Sequence, residues 1–196
     1  MGNVKRVVSP GGFATQYDYD TTVSPVGKLV KVMSFNTSEI SEVTQATDTS
    51  KYRTMAQLQY NALGLLSVIS TPKPGLTNGT LVDTLIGYDT AGLGNITSID
   101  APGSTSTTRK VTSYEYETDE NAPGGTYTQT PLLGLPIKVT EKVNTTPIRV
   151  THIRYKEATN GKKTPNVDTV FDDYERKSTF EYNAADQIKK IVPSAP

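Results

Sequence analysis

A tyrosine recurs along this chain at the end of a short polar segment, and a turn and an aliphatic segment follow it. The clearest copies run from Tyr60 to Ile69 and from Tyr88 to Ile99, and a degenerate copy runs from Tyr182 to Ile191. Self-similarity at a fixed period is the sequence signature of a repeat architecture. We therefore expect a repeated structural surface rather than a catalytic pocket.

The spacing of these tyrosines defines a register. Its members are Tyr19, Tyr60, Tyr88, Tyr116, Tyr155 and Tyr182. The second and third intervals are both 28 residues and the last is 27, whereas the first and fourth, at 41 and 39 residues, each contain an insertion. Because no interior linker divides the register, we predict one domain over residues 1–196, built of about six units.

Each unit is predicted to be a β-hairpin, since apolar and polar residues alternate before the tyrosine and again after the turn. The predicted strand pairs are Phe13–Tyr19 with Lys28–Phe35, Lys51–Tyr60 with Leu65–Ile69, Leu81–Tyr88 with Asn95–Ile99, Lys110–Glu117 with Leu135–Val143, Ile148–Tyr155 with Asn166–Phe171, and Arg176–Tyr182 with Gln187–Val192. The pattern predicts an all-β fold of tandem hairpins in a continuous antiparallel sheet.

The residues after the tyrosines have turn chemistry. Four of them are Asp or Asn, which can hydrogen-bond the backbone two residues further on and tolerate a left-handed conformation: Asp20, Asn61, Asp89 and Asn183. Gly64 and Gly92 stand four residues after their tyrosines, where the reversal predicts positive φ. Gly27 is assigned to the motif of the first unit.

Composition narrows the class of function. The 20 basic and 20 acidic residues give a formal net charge of zero, which disfavours nucleic-acid binding. The chain has no cysteine, so disulfides, thiolate metal sites and a cysteine nucleophile are excluded. The sequence has no run of 18 apolar residues and no apolar signal-peptide core, so we predict no membrane insertion and expect any export signal to lie elsewhere.

The repeat residues resemble the YD repeat of the Rhs family, whose unit reads roughly Tyr-Asp-x-x-Gly-Arg-Leu-x-x-Val-x-x-Pro. The second unit matches at Tyr60, Asn61, Gly64, Leu66, Val68 or Ile69, and Pro72. The third unit matches at Tyr88, Asp89, Gly92, Ile96, Ile99 and Pro102. The other units have insertions or lack the turn glycine, and the resemblance spans about residues 13 to 193.

This resemblance implies an open segment of a curved or spiralling β-sheet shell, as in Rhs polymorphic toxins, toxin-complex cocoons and the teneurin barrel. It implies a bacterial, toxin-associated protein that is exported or attached to the cell surface. Six hairpins are too few to close such a shell. The family's Asp-Pro self-cleavage motif is missing, because Ala101 separates Asp100 from Pro102.

Candidate chemistry is sparse. His152 is the only histidine, and one histidine without a nucleophile motif defines no catalytic site, so we expect it to be packed in a strand. The acidic clusters, including Asp172-Asp173 and a conceivable calcium loop at Asp119, Glu120 and Asn121, are expected to be solvated. We expect the register tyrosines to pack along the sheet rather than bind sugars.

We therefore expect a non-enzymatic structural module that encloses or scaffolds another polypeptide, with no cofactor and no metal. The alternative is a surface for adhesion or carbohydrate binding, and an embedded hydrolase using His152 or the acidic loops ranks below both. Exposed strand edges predict association with flanking repeats of a longer protein or with further copies of the chain.

Overall fold

A computed structural model describes eight stretches of the chain: residues 3–20, 27–38, 51–73, 80–89, 94–103, 108–116, 134–157 and 163–194. Several predictions lie outside these stretches. They concern much of the insertions in the first and fourth tyrosine intervals, the turn glycine Gly92 and the loop at Asp119, Glu120 and Asn121.

The described residues form thirteen β-strands and no α-helix. The strands are β1 (Arg6–Val8), β2 (Phe13–Asp20), β3 (Lys28–Asn36), β4 (Tyr52–Tyr60), β5 (Leu66–Pro72), β6 (Leu81–Tyr88), β7 (Ile96–Pro102), β8 (Arg109–Tyr116), β9 (Pro136–Val143), β10 (Thr146–Glu157), β11 (Lys163–Asp172), β12 (Lys177–Tyr182) and β13 (Ile188–Pro193). The prediction of an all-β fold built from tandem antiparallel hairpins is confirmed.

The chain divides into two compact units, Met1–Ile86 and Gly87–Pro196. In the first unit, β1 to β6 lie side by side in chain order and every neighbouring pair is antiparallel. The hairpin β2–β3 matches Ala14 with Phe35 and Gln16 with Met33. Both cross-strand pairs face the same side of the sheet, since directly opposite residues share a face.

The second unit repeats this plan with β7 to β13, again antiparallel and in chain order. β10 and β11 are longer than the sequence predicted, because pairing continues to Glu157 and Lys163 after two register shifts. β7 ends at Pro102. A proline has no amide hydrogen to donate to a ladder, and β5 likewise ends at Pro72.

β1 is a strand that the sequence did not predict. It has only three residues, all exposed, and pairs with the start of β2. The turn from Ser9 to Phe13 joins the two strands, with the Ser9 N–H donating to the Phe13 carbonyl at 2.8 Å. A three-residue strand carries too little alternation to be recognised from sequence.

The buried core among the described residues is small. Ala14, Met33 and Phe35 form its centre, and Tyr52 packs against them. Most other strand residues are only partly buried, so little of the fold rests on a dense apolar interior. Its order must then depend on features that fix the strands to one another, and these are concentrated at the tyrosine ends of the hairpins.

Candidate functional site

The turn after Tyr60 shows how these hairpin ends are built. The Asn61 N–H donates to the Leu65 carbonyl at 2.9 Å, and the Gly64 N–H donates to the Asn61 carbonyl at 2.8 Å. The Asn61 side-chain oxygen accepts from the N–H groups of Leu63 and Leu65 at 3.0 and 2.9 Å. Gly64 has φ 77°, which confirms the predicted left-handed conformation.

The same five-residue turn recurs at Asn183–Gln187 and, unpredicted, at Asp172–Arg176. The first residue accepts two backbone N–H groups through its side-chain oxygen in each copy. The fourth residue is again left-handed, with φ 57° at Asp186 and 60° at Glu175. The turn at Ser9 has the same backbone bonds, with Gly12 at φ 78°. One turn design therefore serves four connections.

The turns after Tyr88 and Tyr19 are longer variants. The Asp89 N–H donates to the Asn95 carbonyl at 2.9 Å, and the Asp89 carboxylate accepts from the N–H groups of Gly94 and Asn95, both at 3.3 Å. Gly94 takes a left-handed φ of 80°. In the first hairpin the Gly27 N–H donates to the Asp20 carbonyl at 3.1 Å, and Gly27 has φ 106°.

A β-bulge stands opposite each of five register tyrosines. The strand register shifts by one residue immediately before Tyr19, Tyr60, Tyr116, Tyr155 and Tyr182. The extra residue lies in the second strand of the hairpin each time, at Val30, Ser67, Ile137, Asp168 and Lys189. A bulge bends a strand and re-aims its side chains. Its recurrence at one place makes it a part of the repeat.

The hydroxyl groups of these five tyrosines donate to backbone carbonyls earlier in the chain, four of them to the preceding strand and that of Tyr19 to a residue just before β1. The bonds are Tyr19 to Val4 at 3.0 Å, Tyr60 to Leu29 at 2.8 Å, Tyr116 to Ile96 at 2.7 Å, Tyr155 to Pro136 at 2.9 Å and Tyr182 to Val167 at 2.9 Å. Four of the five bonds are partly buried. Each tyrosine thus ties its hairpin to what comes before it in the chain.

The acceptor residues follow a rule. Leu29 is the strand partner of Tyr19 and accepts the hydroxyl of Tyr60. In the second unit, Pro136 is the partner of Tyr116 and accepts from Tyr155. Val167, the partner of Tyr155, accepts from Tyr182. In these three cases the residue opposite one tyrosine is the acceptor for the next.

Charged groups support two of these tyrosines. The Lys28 ammonium lies 5.0 Å from the ring centroid of Tyr60 and donates to the Gly64 carbonyl at 3.0 Å. The Lys156 ammonium lies 4.7 Å from the ring centroid of Tyr182. Such cation–π contacts hold a ring in place by attraction to its face.

Burial keeps the Tyr116 hydroxyl in its donor form. Desolvation raises the pKa of Tyr116 above its ordinary value of 10.0, and nearby Tyr114 and Asp89 raise it further. An ordinary tyrosine is already protonated at neutral pH, and the raised pKa lets Tyr116 keep its bond to the Ile96 carbonyl into more alkaline solution.

The acidic pair Asp172-Asp173 lies where β11 ends, and His152 of β10 lies beside it. Stacking of His152 on Phe171 brings their ring centroids to 4.8 Å, and its Nε2 lies 3.2 Å from the Asp173 carboxylate. The Arg176 guanidinium donates to Asp172 at 2.7 Å and, with the N–H groups of the turn, lowers the pKa of that carboxyl. The sequence prediction of a strand-packed histidine describes this arrangement.

The described part of the chain contains no group of three or more His, Asp or Glu side chains placed to hold a metal ion. It also contains no helix long and apolar enough to cross a membrane. No protein-family model matches the chain, and no curated protein is significantly similar to it.

Proposed function

We propose that this chain is a non-enzymatic structural module, a section of an Rhs-type β-sheet shell that encloses or scaffolds another polypeptide. The observation that carries the proposal is the recurring tie at the hairpin ends. Bulge, tyrosine hydroxyl and backbone acceptor occur together five times. A bond that fixes four hairpins to their predecessors, and the first hairpin to the segment before it, serves the regular extension of a sheet.

The polar groups of the repeat support the same proposal. The side chains of Asn61, Asp89 and Asn183 accept bonds from turn N–H groups, and five register tyrosines donate their hydroxyls to backbone. Side chains engaged in these hydrogen bonds stabilise the sheet and are poorly placed to bind a sugar or act in proton transfer. The Rhs resemblance adds the role: a wall around, or a scaffold for, a second polypeptide.

Chemical cross-linking in the source cells tests the proposal. The chain is tagged in its own gene, treated with a lysine-reactive reagent and analysed by mass spectrometry. We expect cross-links from strand lysines such as Lys138, Lys142 and Lys177 to another polypeptide segment, and that segment should resist added protease until the module is unfolded. Cross-links confined to the module itself would contradict the proposal.

The adhesion alternative gives a different result. Tyr174 lies in a turn and is 82% exposed, the highest value among the large hydrophobic residues of the described stretches. Glycan binding that disappears in Tyr174→Ala but not in Tyr60→Phe would favour an adhesive surface. Hydrolysis of a test substrate that is lost in His152→Ala would instead favour an enzyme.

A further inference from the structure

β13 is the strand at one edge of the second unit. Among the described residues it pairs with β12 and with no strand on its other side. All six of its residues are exposed, including Ile188 at 56% and Ile191 at 54%. An edge strand presents a row of backbone donors and acceptors to which another strand can pair.

The rest of the chain indicates what kind of strand fits there. β13 is the second strand of its hairpin, as β3, β9 and β11 are of theirs. Each of those three is paired on its outer side with the first strand of the following hairpin, namely β4, β10 and β12. In all three cases the incoming tyrosine bonds the residue opposite the previous tyrosine. In β13 that residue is Ile188, the partner of Tyr182.

The hydrogen-bond pattern of the β12–β13 pair places a donor on the open edge. The Ser194 N–H donates to the Lys177 carbonyl at 2.7 Å, so Ser178 and Pro193 are a non-hydrogen-bonded pair. Bonded and non-bonded pairs alternate along an antiparallel ladder. The pair of Phe180 and Ile191 is then also non-bonded, and the Ile191 N–H points away from β12.

Charge selects among possible partners. β13 carries Lys189 and Lys190 side by side, and on its paired edge Lys190 is opposite Glu181. Two β13 strands paired with each other would bring like charges together, which is unfavourable. A strand with an acidic residue near its tyrosine, as Glu181 stands before Tyr182, is favoured instead.

We propose that the open edge of β13 binds an antiparallel β-strand that ends in tyrosine followed by Asn or Asp, with the tyrosine hydroxyl on the Ile188 carbonyl. The partner is thus the first strand of a further hairpin of the same kind. This inference rests on the proposed function, because extension of the wall is the purpose that such an edge would serve.

A peptide titration of the full chain tests it. The probe is a peptide with the sequence of residues 177–183, Lys-Ser-Thr-Phe-Glu-Tyr-Asn, added to isotopically labelled protein and followed by NMR. We expect resonance shifts along β13 and slower hydrogen exchange at the Ile191 amide. Replacing the peptide's tyrosine by phenylalanine should weaken binding about fivefold, the effect of one lost neutral hydrogen bond.

Two chain variants control for the position of binding. Ile191→Pro removes the outward N–H without removing a β12–β13 bond, and should abolish binding with only a small change in unfolding midpoint. Ile191→Val keeps the N–H and should bind as the parent does. Equal binding of the two peptides, or binding that survives Ile191→Pro, would overturn the inference.

Two further results would show which molecule occupies the open edge of β13. A chain that dimerises by itself, becomes monomeric in Ile191→Pro and ignores the peptide would show that a second copy occupies the edge, which overturns the inference. The proposed function would still stand if the cross-linked and protease-protected polypeptide were found. If the peptide binds as expected but cross-linking finds no protease-protected polypeptide, only the proposed function is overturned.

Discussion

Tyr60→Phe offers a direct measure of what one hairpin tie contributes to stability. The change removes only the hydroxyl that donates at 2.8 Å to the partly buried Leu29 carbonyl. A neutral hydrogen bond contributes about 1 kcal/mol net, and a carbonyl left unpaired in a partly buried place costs about 1–3 kcal/mol. Lys28, 5.0 Å from the ring centroid, can still contact a phenylalanine ring. We expect a loss of about 1–2 kcal/mol.

Urea unfolding of the full chain, followed by circular dichroism, measures this loss. With a slope of about 2 kcal/mol per molar urea, the midpoint should fall by roughly 0.5–1 M while the slope stays the same. Tyr174→Phe is the matched control, because Tyr174 is 82% exposed and its change should stay within about 0.5 kcal/mol. If both variants unfolded at the same midpoint, the hydroxyl tie would contribute nothing measurable and the reasoning would fail.

Three further predictions concern the turns. Gly64→Val should destabilise the chain by about 1–2 kcal/mol in the same urea assay, because the left-handed φ of 77° disfavours a side chain and a Cβ would also crowd the Lys28 ammonium; an unchanged midpoint would refute the turn geometry. Glu175→Gly should raise stability by about 0.5–1 kcal/mol, since Glu175 holds φ 60° at a cost that glycine avoids, and a lower midpoint would contradict this. Asp172 has a lowered pKa in the folded state, so its contribution is present above the unfolded value of about 3.9 and is lost as pH falls through the folded pKa. The difference in stability between the parent and Asp172→Asn should therefore shrink on acidification below about pH 4, and a constant difference would count against the Arg176 bond as its cause.

Much of the fold could be predicted because two short-range signals agree. The alternation of apolar and polar residues predicted the strands from β2 to β13. Asn or Asp directly after a tyrosine predicted the turns that follow four of the register tyrosines. Gly64 adopts the left-handed φ that its place predicts. In the longer turn of the third unit Gly94 is left-handed, and Asp89 accepts from N–H groups five and six residues away rather than two and four.

The bulges could not be predicted in the same way. The extra residues have no common chemistry, since Val30, Ser67 and Lys189 are apolar, small polar and charged. The repeat of the bulge appears only when strands are paired residue by residue. The sequence also gave no sign of the turn at Asp172, because no tyrosine of the register precedes it and a glutamate occupies the left-handed position.

The backbone acceptor of each tyrosine hydroxyl could likewise not be predicted from the sequence. A backbone carbonyl is present at every residue, so nothing in the composition marks Leu29 or Val167 as an acceptor. Aromatic packing along the sheet was the expectation, and the structure adds a directed bond from the tip of each ring. Only the three-dimensional pairing reveals that this bond reaches the previous hairpin and not its own.

The backward direction of that bond has a consequence for biosynthesis. Each tyrosine needs an acceptor that the ribosome has already made, as Tyr60 needs Leu29 and Tyr182 needs Val167. The tyrosine of a nascent hairpin can therefore form this hydrogen bond as soon as it leaves the exit tunnel, before later residues have been synthesised. Growth of this kind lets translation set the order of assembly and limits the time that each new strand spends unpaired.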